Sequence, residues 1–260
     1  MMLKIALLSV LLTVTTAQAF RINRVIVASD ANPVYLQFWP LVAKTWKQIV
    51  GIKPTLFLVA PADVTVDESL GHVIRFEPLP GIPTSFQAQV IRLLAPAYFE
   101  DDICIISDMD MIPLSKEYFT KSVSAIFENC FVVYKDGAFA GQNINEYPMC
   151  YNAAKGWVFK EIFDIKSIDE IPSIITQWYN LGLGWTTDQQ ILFQRFNEWN
   201  AKTSRGIKLG HTVERRVDRG GWSYNVELLQ KGYYVDCHML RPYEAYKYHL
   251  DSLAQQLGIE

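Results

Sequence analysis

The feature that most constrains this chain is the stretch from Ile103 to Pro113, ICIISDMDMIP, in which a charge-free apolar run ends on two carboxylates. An apolar, β-branched run such as ICII shows no polar alternation. It predicts a strand buried on both faces, the habit of parallel sheets covered by helices on each side. Ligands of such sheets bind beyond the carboxyl ends of the strands, which is where Asp108 and Asp110 fall. Residues two apart in an extended segment point the same way. The pair is therefore expected to converge on one cation while Met109 turns back toward protein, and Pro113 is expected to stop the strand. With 14 aspartates in 260 residues, chance alone supplies about 0.7 D-x-D strings, so the argument rests on position. Two carboxylates held together repel unless something positive joins them. Hard oxygen ligands favour Mg²⁺ or Mn²⁺.

The region before this strand reads as strand and helix in alternation. Arg24 to Ser29 (RVIVAS) is a short apolar strand, and Asn32 with Pro33 opens a helix expected to run to Val50 and end at Gly51. Thr55 to Val59 and His72 to Phe76 read as two more strands, and Ser85 to Leu94 as a helix before Pro96. This β-α-β-β-α-β order predicts an α/β nucleotide-binding half over about 24–110. The region 111–260 is less regular. It offers strands at Phe131 to Tyr134, Met149 to Ala153 and Tyr233 to Met239, and helices at Trp157 to Phe163, Thr187 to Trp199 and Pro242 to Leu257. Half the residues are hydrophobic and 20% are charged, enough for a large core and against disorder. A net charge of −3 without a long basic block argues against a nucleic-acid partner.

Residues 1–19 read as a targeting segment. Lys4 precedes an apolar run from Ile5 to Val14, and Ala17-Gln18-Ala19 forms an A-x-A-like cleavage site. The run is too short for a comfortable membrane span, so no stable transmembrane anchor is expected. The expectation is a secretory-pathway or extracytoplasmic protein with one domain over 20–260. Cys104 lies in the apolar run and reads as a core thiol, whereas Cys130 and Cys150 are candidates for a bridge.

Taken together, VIVASDANPVY, FQAQVIRLL, IISDMDMIPL, WTTDQQIL and DCHMLRPYE resemble the GT-A class of nucleotide-sugar glycosyltransferases over about residues 24 to 250. The resemblance implies a Rossmann-like α/β half with a mixed, mainly parallel central sheet flanked by helices. It implies transfer of a sugar from a UDP- or GDP-sugar donor to a glycan or glycoconjugate acceptor, with Mn²⁺ or Mg²⁺. By the family pattern, Asp108 and Asp110 hold the cation and His238 supplies a further ligand. Ala28, Ser29 and Asp30 receive the base and ribose. Arg92 faces the nucleotide or braces the aspartates, and Met109 lies with them on the donor side. Asp188 corresponds to the acidic residue that contacts sugar or acceptor, and it is the candidate catalytic group. Trp185, beside it, is the aromatic residue placed for sugar or acceptor.

Each assignment has a plainer reading: His238 as a core histidine, Asp188 as a helix N-terminal carboxylate favoured by the dipole, and most Trp residues as core. The segment from Lys202 to Trp222 concentrates Lys202, Arg205, Lys208, Arg215, Arg216 and Arg219 among four glycines. It reads as a surface loop or as a lid closing over a diphosphate. A haloacid-dehalogenase-type phosphatase would place D-x-D on its opening strand, whereas here three strands precede it. A non-catalytic carbohydrate-binding relative of the same fold is the other alternative.

Overall fold

The computed structural model describes residues 19–139, 142, 145–210 and 215–259; apart from Ala19, the expected targeting segment lies outside them. In chain order the strands are β1 Arg24–Asp30, β2 Pro54–Val59, β3 His72–Phe76, β4 Ile103–Ile106, β5 Met111–Pro113, β6 Phe131–Asp136, β7 Asn152–Lys155, β8 Gly206–Gly210, β9 Arg216–Asp218 and β10 Asp236–His238. Seven form one sheet in the order β3-β2-β1-β4-β7-β6-β8, and β5, β10 and β9 form a second. Parallel pairing joins β1 to β2 and β4, β2 to β3, and β6 to β8, while β7 runs antiparallel to β4 and β6. The result is an α/β fold on a mixed, mainly parallel sheet.

Burial on both faces explains why the central strands are uninterrupted apolar runs. Val25, Val27, Leu56, Leu58, Ile103 and Ile105 join a core on one face with Trp39, Trp46 and Leu250. Ile26, Phe57, Cys104 and Ile106 point the other way, into a core with Val90, Leu94, Phe159 and Phe196. The helices supplying these layers are α1 Pro33–Leu36, α2 Trp39–Thr45, α3 Thr84–Leu94, α4 Lys116–Thr120, α5 Gly156–Phe163, α6 Ile171–Asn180, α7 Thr187–Thr203, α8 Val226–Gln230 and α9 Tyr243–Gln256. Among the described residues no helix is long and apolar enough to cross a membrane.

The structure departs from the sequence reading at several points. The helix expected over 33–50 starts as read, with the Asn32 side chain accepting from Val34 N–H at 3.0 Å, but Pro40 has no N–H to continue the ladder. The chain breaks and restarts as α2, then widens into a π turn over Trp46–Val50 that Gly51 closes at φ +90°. Pro113 does not end the region; it lies in β5, opposite Asp236 of β10. Helix α6 has no counterpart in the sequence reading, although Ser167-x-x-Glu170 announces it: Ser167 Oγ accepts from Asp169 N–H at 3.2 Å and Glu170 accepts from Lys166 N–H at 3.0 Å.

Two expectations are overturned. The basic segment over 202–222 is not one surface loop. It supplies β8 to the large sheet and β9 to the small one, and His211 to Glu214 lie outside the described residues. Four of its cations pair with carboxylates: Arg205 with Glu161, Lys208 with Asp136, Arg216 with Asp236, and Arg219 with Asp110. Cys130 and Cys150 are buried free thiols, as are Cys104 and Cys237.

Helix α5 leaves β7 without a loop, and this tests the packing. A Cβ on Gly156 would stand 2.2 Å from Phe99 O and 2.4 Å from Pro96 O. Both obstacles are backbone, so the chain itself must shift. Gly156→Ala is expected to cost about 2–3 kcal/mol, read from urea unfolding. An unchanged midpoint would show that the close approach is not needed.

Candidate functional site

β4 carries the chain to the carboxyl edge of the sheet beside β1, where Ser107 N–H donates to Ile26 O at 2.9 Å. The chain then turns: Met111 N–H donates to Asp108 O at 3.2 Å. Asp108 and Asp110 therefore sit on a turn, not on an extended segment, and each finds different cationic partners. They share a cavity of about 510 Å³ at the strand ends. Ala28, Ser29, Asp30, Arg92, Asp108, Met109, Asp110, Trp185, Asp188 and His238, all singled out from the sequence, line it together.

On one wall, Arg92 of α3 bridges two carboxylates. Its Nη1 bonds Asp108 Oδ1, and its Nη2 lies 2.9 Å from Asp188 Oδ2. Asp188, in the first turn of α7, is fully buried, and its Oδ1 accepts from Gln189 N–H at 2.9 Å. Burial pushes its carboxyl up to about 6, against the opposing charge of Arg92. The arrangement is a buried carboxylate with an arginine fixed beside it.

The opposite wall is cationic around Asp110. Its Oδ2 lies 2.8 Å from Arg219 Nη1, 3.4 Å from His238 Nε2 and 3.5 Å from Arg241 Nη1. Burial works to raise this carboxyl, but the hydrogen bond and charge of His238, with the charges of Arg219 and Arg241, hold it below the usual range. Strand register places Asp218 opposite His238, with its Oδ2 3.4 Å from Nδ1. Met239 N–H donates to Asp110 O at 2.8 Å, tying β10 to the turn. Arg241 also bonds the Tyr35 hydroxyl.

Arg219, Arg241 and Asp218 were missed as site residues by sequence reasoning. Arg241 had a signal, since it stands three residues after His238. Arg219 was read only as part of the basic segment, and its carboxylate partner, 109 positions away, was not legible.

Behind this wall lies a buried ion cluster. Arg216 grips Asp236 with Nε and Nη2, each at 2.8 Å, and Lys135 Nζ lies 3.2 Å from the same carboxylate. Burial works against ionising Asp236, yet Arg216 and Lys135 hold its carboxyl below the usual range. Arg216 also reaches the cavity and stands 3.5 Å from Cys150 Sγ.

The donor set suits a hard divalent cation in kind, with two carboxylates and one imidazole on one cavity. Asp110 and His238 are already adjacent, whereas Asp108 is drawn toward Arg92. Among the described residues no three His, Cys, Asp or Glu side chains converge as a ready-made cation site. A cation here competes with arginines for the same oxygens.

No protein-family model and no curated protein matches the sequence. The structure, however, has the GT-A glycosyltransferase fold. It is similar to the galactosyltransferase LgtC in complex with donor and acceptor sugar analogues, with a TM-score of 0.50 and 12% identity over 90% of this chain and 95% of that one. An active-site mutant of LgtC gives a TM-score of 0.50 at 11% identity, over the same shares of both chains. The bifunctional glycosyltransferase WbbM in its apo form gives 0.50 at 10% identity, over 93% of this chain and 51% of that one. At such identities the likeness is one of fold.

Proposed function

We propose that this chain is a metal-dependent glycosyltransferase acting on a nucleotide-diphospho-sugar. The observation that carries the reading is the single strand-end cavity, which joins an aspartate–histidine set, a cationic wall and a buried carboxylate. LgtC, of similar fold, was solved with donor and acceptor sugar analogues, which supports nucleotide-sugar and glycan partners here. In the reaction the bond from the anomeric carbon to the diphosphate oxygen breaks. A bond from that carbon to an acceptor hydroxyl oxygen forms, and the hydroxyl proton leaves.

Asp108, Asp110 and His238 would hold Mn²⁺ or Mg²⁺, whose chemistry is neutralisation of charge developing on the departing diphosphate. Arg219 and Arg241 face the same place and can donate to phosphate oxygens. The carboxyl end of β1, at Ala28, Ser29 and Asp30, is open to base and ribose. Arg92 and Asp188 would meet the sugar, and Trp185 the acceptor; all three line the same cavity. The phosphatase alternative fits poorly, because the motif follows the fourth strand and not the first. The pattern over residues 1–19 supports an extracytoplasmic location.

Purified protein with Mn²⁺ and a set of UDP- and GDP-sugars should release the nucleoside diphosphate. Binding of sugars without release would instead favour a non-catalytic carbohydrate-binding relative.

Asp188 supplies a pH test. With its carboxyl near 6, the ionised form prevails at pH 7.5 and the protonated form at pH 5. If that carboxylate takes the acceptor proton, kcat/KM falls about tenfold per pH unit below 6, and Asp188→Asn loses both the inflection and most turnover. A wild-type profile flat through pH 5–7 would remove Asp188 from that role. For folding the sign is opposite. The folded state holds this proton more tightly than the unfolded chain, so ionising Asp188 costs stability as pH rises from about 4 to about 6.

A further inference from the structure

The proposed transfer accounts for the ionic side of the cavity mouth but not for the other side, which is built from two charge-free stretches. Residues 171–187 contain no charged side chain, nor do residues 78–91, in a chain that is 20% charged. The fold brings both to the same rim. Phe86 of the earlier stretch stands edge-on to Tyr179 at 5.2 Å, and the Gln89 side chain donates to the carbonyl of Trp185. From Tyr179 to Trp185 every residue is exposed. Leu181 is 57% accessible, Leu183 39% and Trp185 63%. Gly182 and Gly184 take left-handed backbone, φ +66° and +77°, which glycine adopts without steric cost. The segment is a fixed lip that holds two leucines and a tryptophan in water.

Clustered apolar side chains on a surface mark a contact. An occupant that spans the lip as far as Trp185 also reaches the cavity mouth, because Trp185 lines the cavity while Leu181 and Leu183 stand outside it. The donor's diphosphate belongs opposite, against Arg219 and Arg241, so the substrate left for the lip is the acceptor. We propose that the acceptor is an uncharged amphiphile. Its reacting hydroxyl enters the cavity while an alkyl, prenyl or aryl group lies on Leu181, Leu183 and Trp185. This rests on the glycosyltransferase reading of the cavity, yet the lip can be probed without turnover.

The probes are n-octyl β-D-glucopyranoside, below its micelle-forming concentration, and methyl β-D-glucopyranoside. Each is titrated by calorimetry into wild type and the exposed-surface double variant Leu181→Ser/Leu183→Ser, with UDP and GDP binding as the check on the cavity. Octyl glucoside is expected to bind wild type at least about tenfold more tightly than methyl glucoside, as partial burial of two leucines would give. The preference should vanish in the double variant while nucleotide binding persists. Equal affinities in wild type, or a preference that survives the double variant, overturn the proposal. So does flotation with phosphatidylcholine vesicles that depends on the two leucines while octyl glucoside shows no advantage, since the lip would then be a membrane contact. Absence of any nucleotide binding with the octyl preference intact would overturn the transferase reading and uphold an amphiphile site.

Discussion

Asp110→Asn is expected to lower Mn²⁺-dependent turnover by roughly a hundred- to a thousand-fold, the scale seen when one fixed electrostatic contact to developing charge is lost. Asp110 is buried, and its Oδ2 is the point on which His238, Arg219 and Arg241 converge. An amide there keeps the shape and removes the charge. Repulsion between two crowded carboxylates would by itself make the loss of one of them neutral or stabilising. The structure argues the reverse, since Asp110→Ala would leave Arg219 and Arg241 without their shared counter-charge. A loss of about 1–3 kcal/mol is expected. Release of UDP or GDP across a Mn²⁺ titration, with folding followed by circular dichroism, measures both effects. Near-wild-type turnover in Asp110→Asn at limiting metal would end the assignment of this carboxylate to the site.

The largest stability effect belongs to Asp236, outside the cavity lining. Asp236→Asn strands two buried cations, Arg216 and Lys135, which share its carboxylate at 2.8 and 3.2 Å. Breaking a buried ion cluster by removing one partner costs about 3–5 kcal/mol. Denaturant unfolding should show that loss, and a change under about 0.5 kcal/mol would mean that water reaches the cluster. Because the folded state holds this carboxyl low, its stabilisation is present above the ordinary value of 3.8 and is lost as pH falls below it. Arg216→Ala should likewise fail through folding, because it removes the two-armed grip on Asp236.

Where burial follows a local pattern, the chain announced its own structure. The runs RVIVAS, TLFLV and ICII are strands because every residue in them except Arg24 is buried, and enclosure on both faces leaves no room for polar alternation. Asn32-Pro33 opened a helix because one side-chain oxygen and one missing N–H suffice. Asp108 and Asp110 were legible as residues of the strand-end cavity, which both line, because ligands of such sheets bind beyond the carboxyl ends of the strands. All of this is decided within a few residues.

The tertiary structure alone decided which charges meet. Arg219 reaches Asp110 from 109 positions away, and Asp218 faces His238 only because β9 and β10 align in that register. Nothing in KLGHTVERRVDRGG distinguishes a solvated basic loop from a strand, β9, at which Arg216 and Arg219 meet buried acids. Charge pattern fixes the sign of a segment and leaves its partner open. Coulomb attraction is felt strongly only after both groups have been carried out of water to within a few ångströms. That approach is set by the packing of the whole sheet, so the identity of the cavity's cations was a property of the fold.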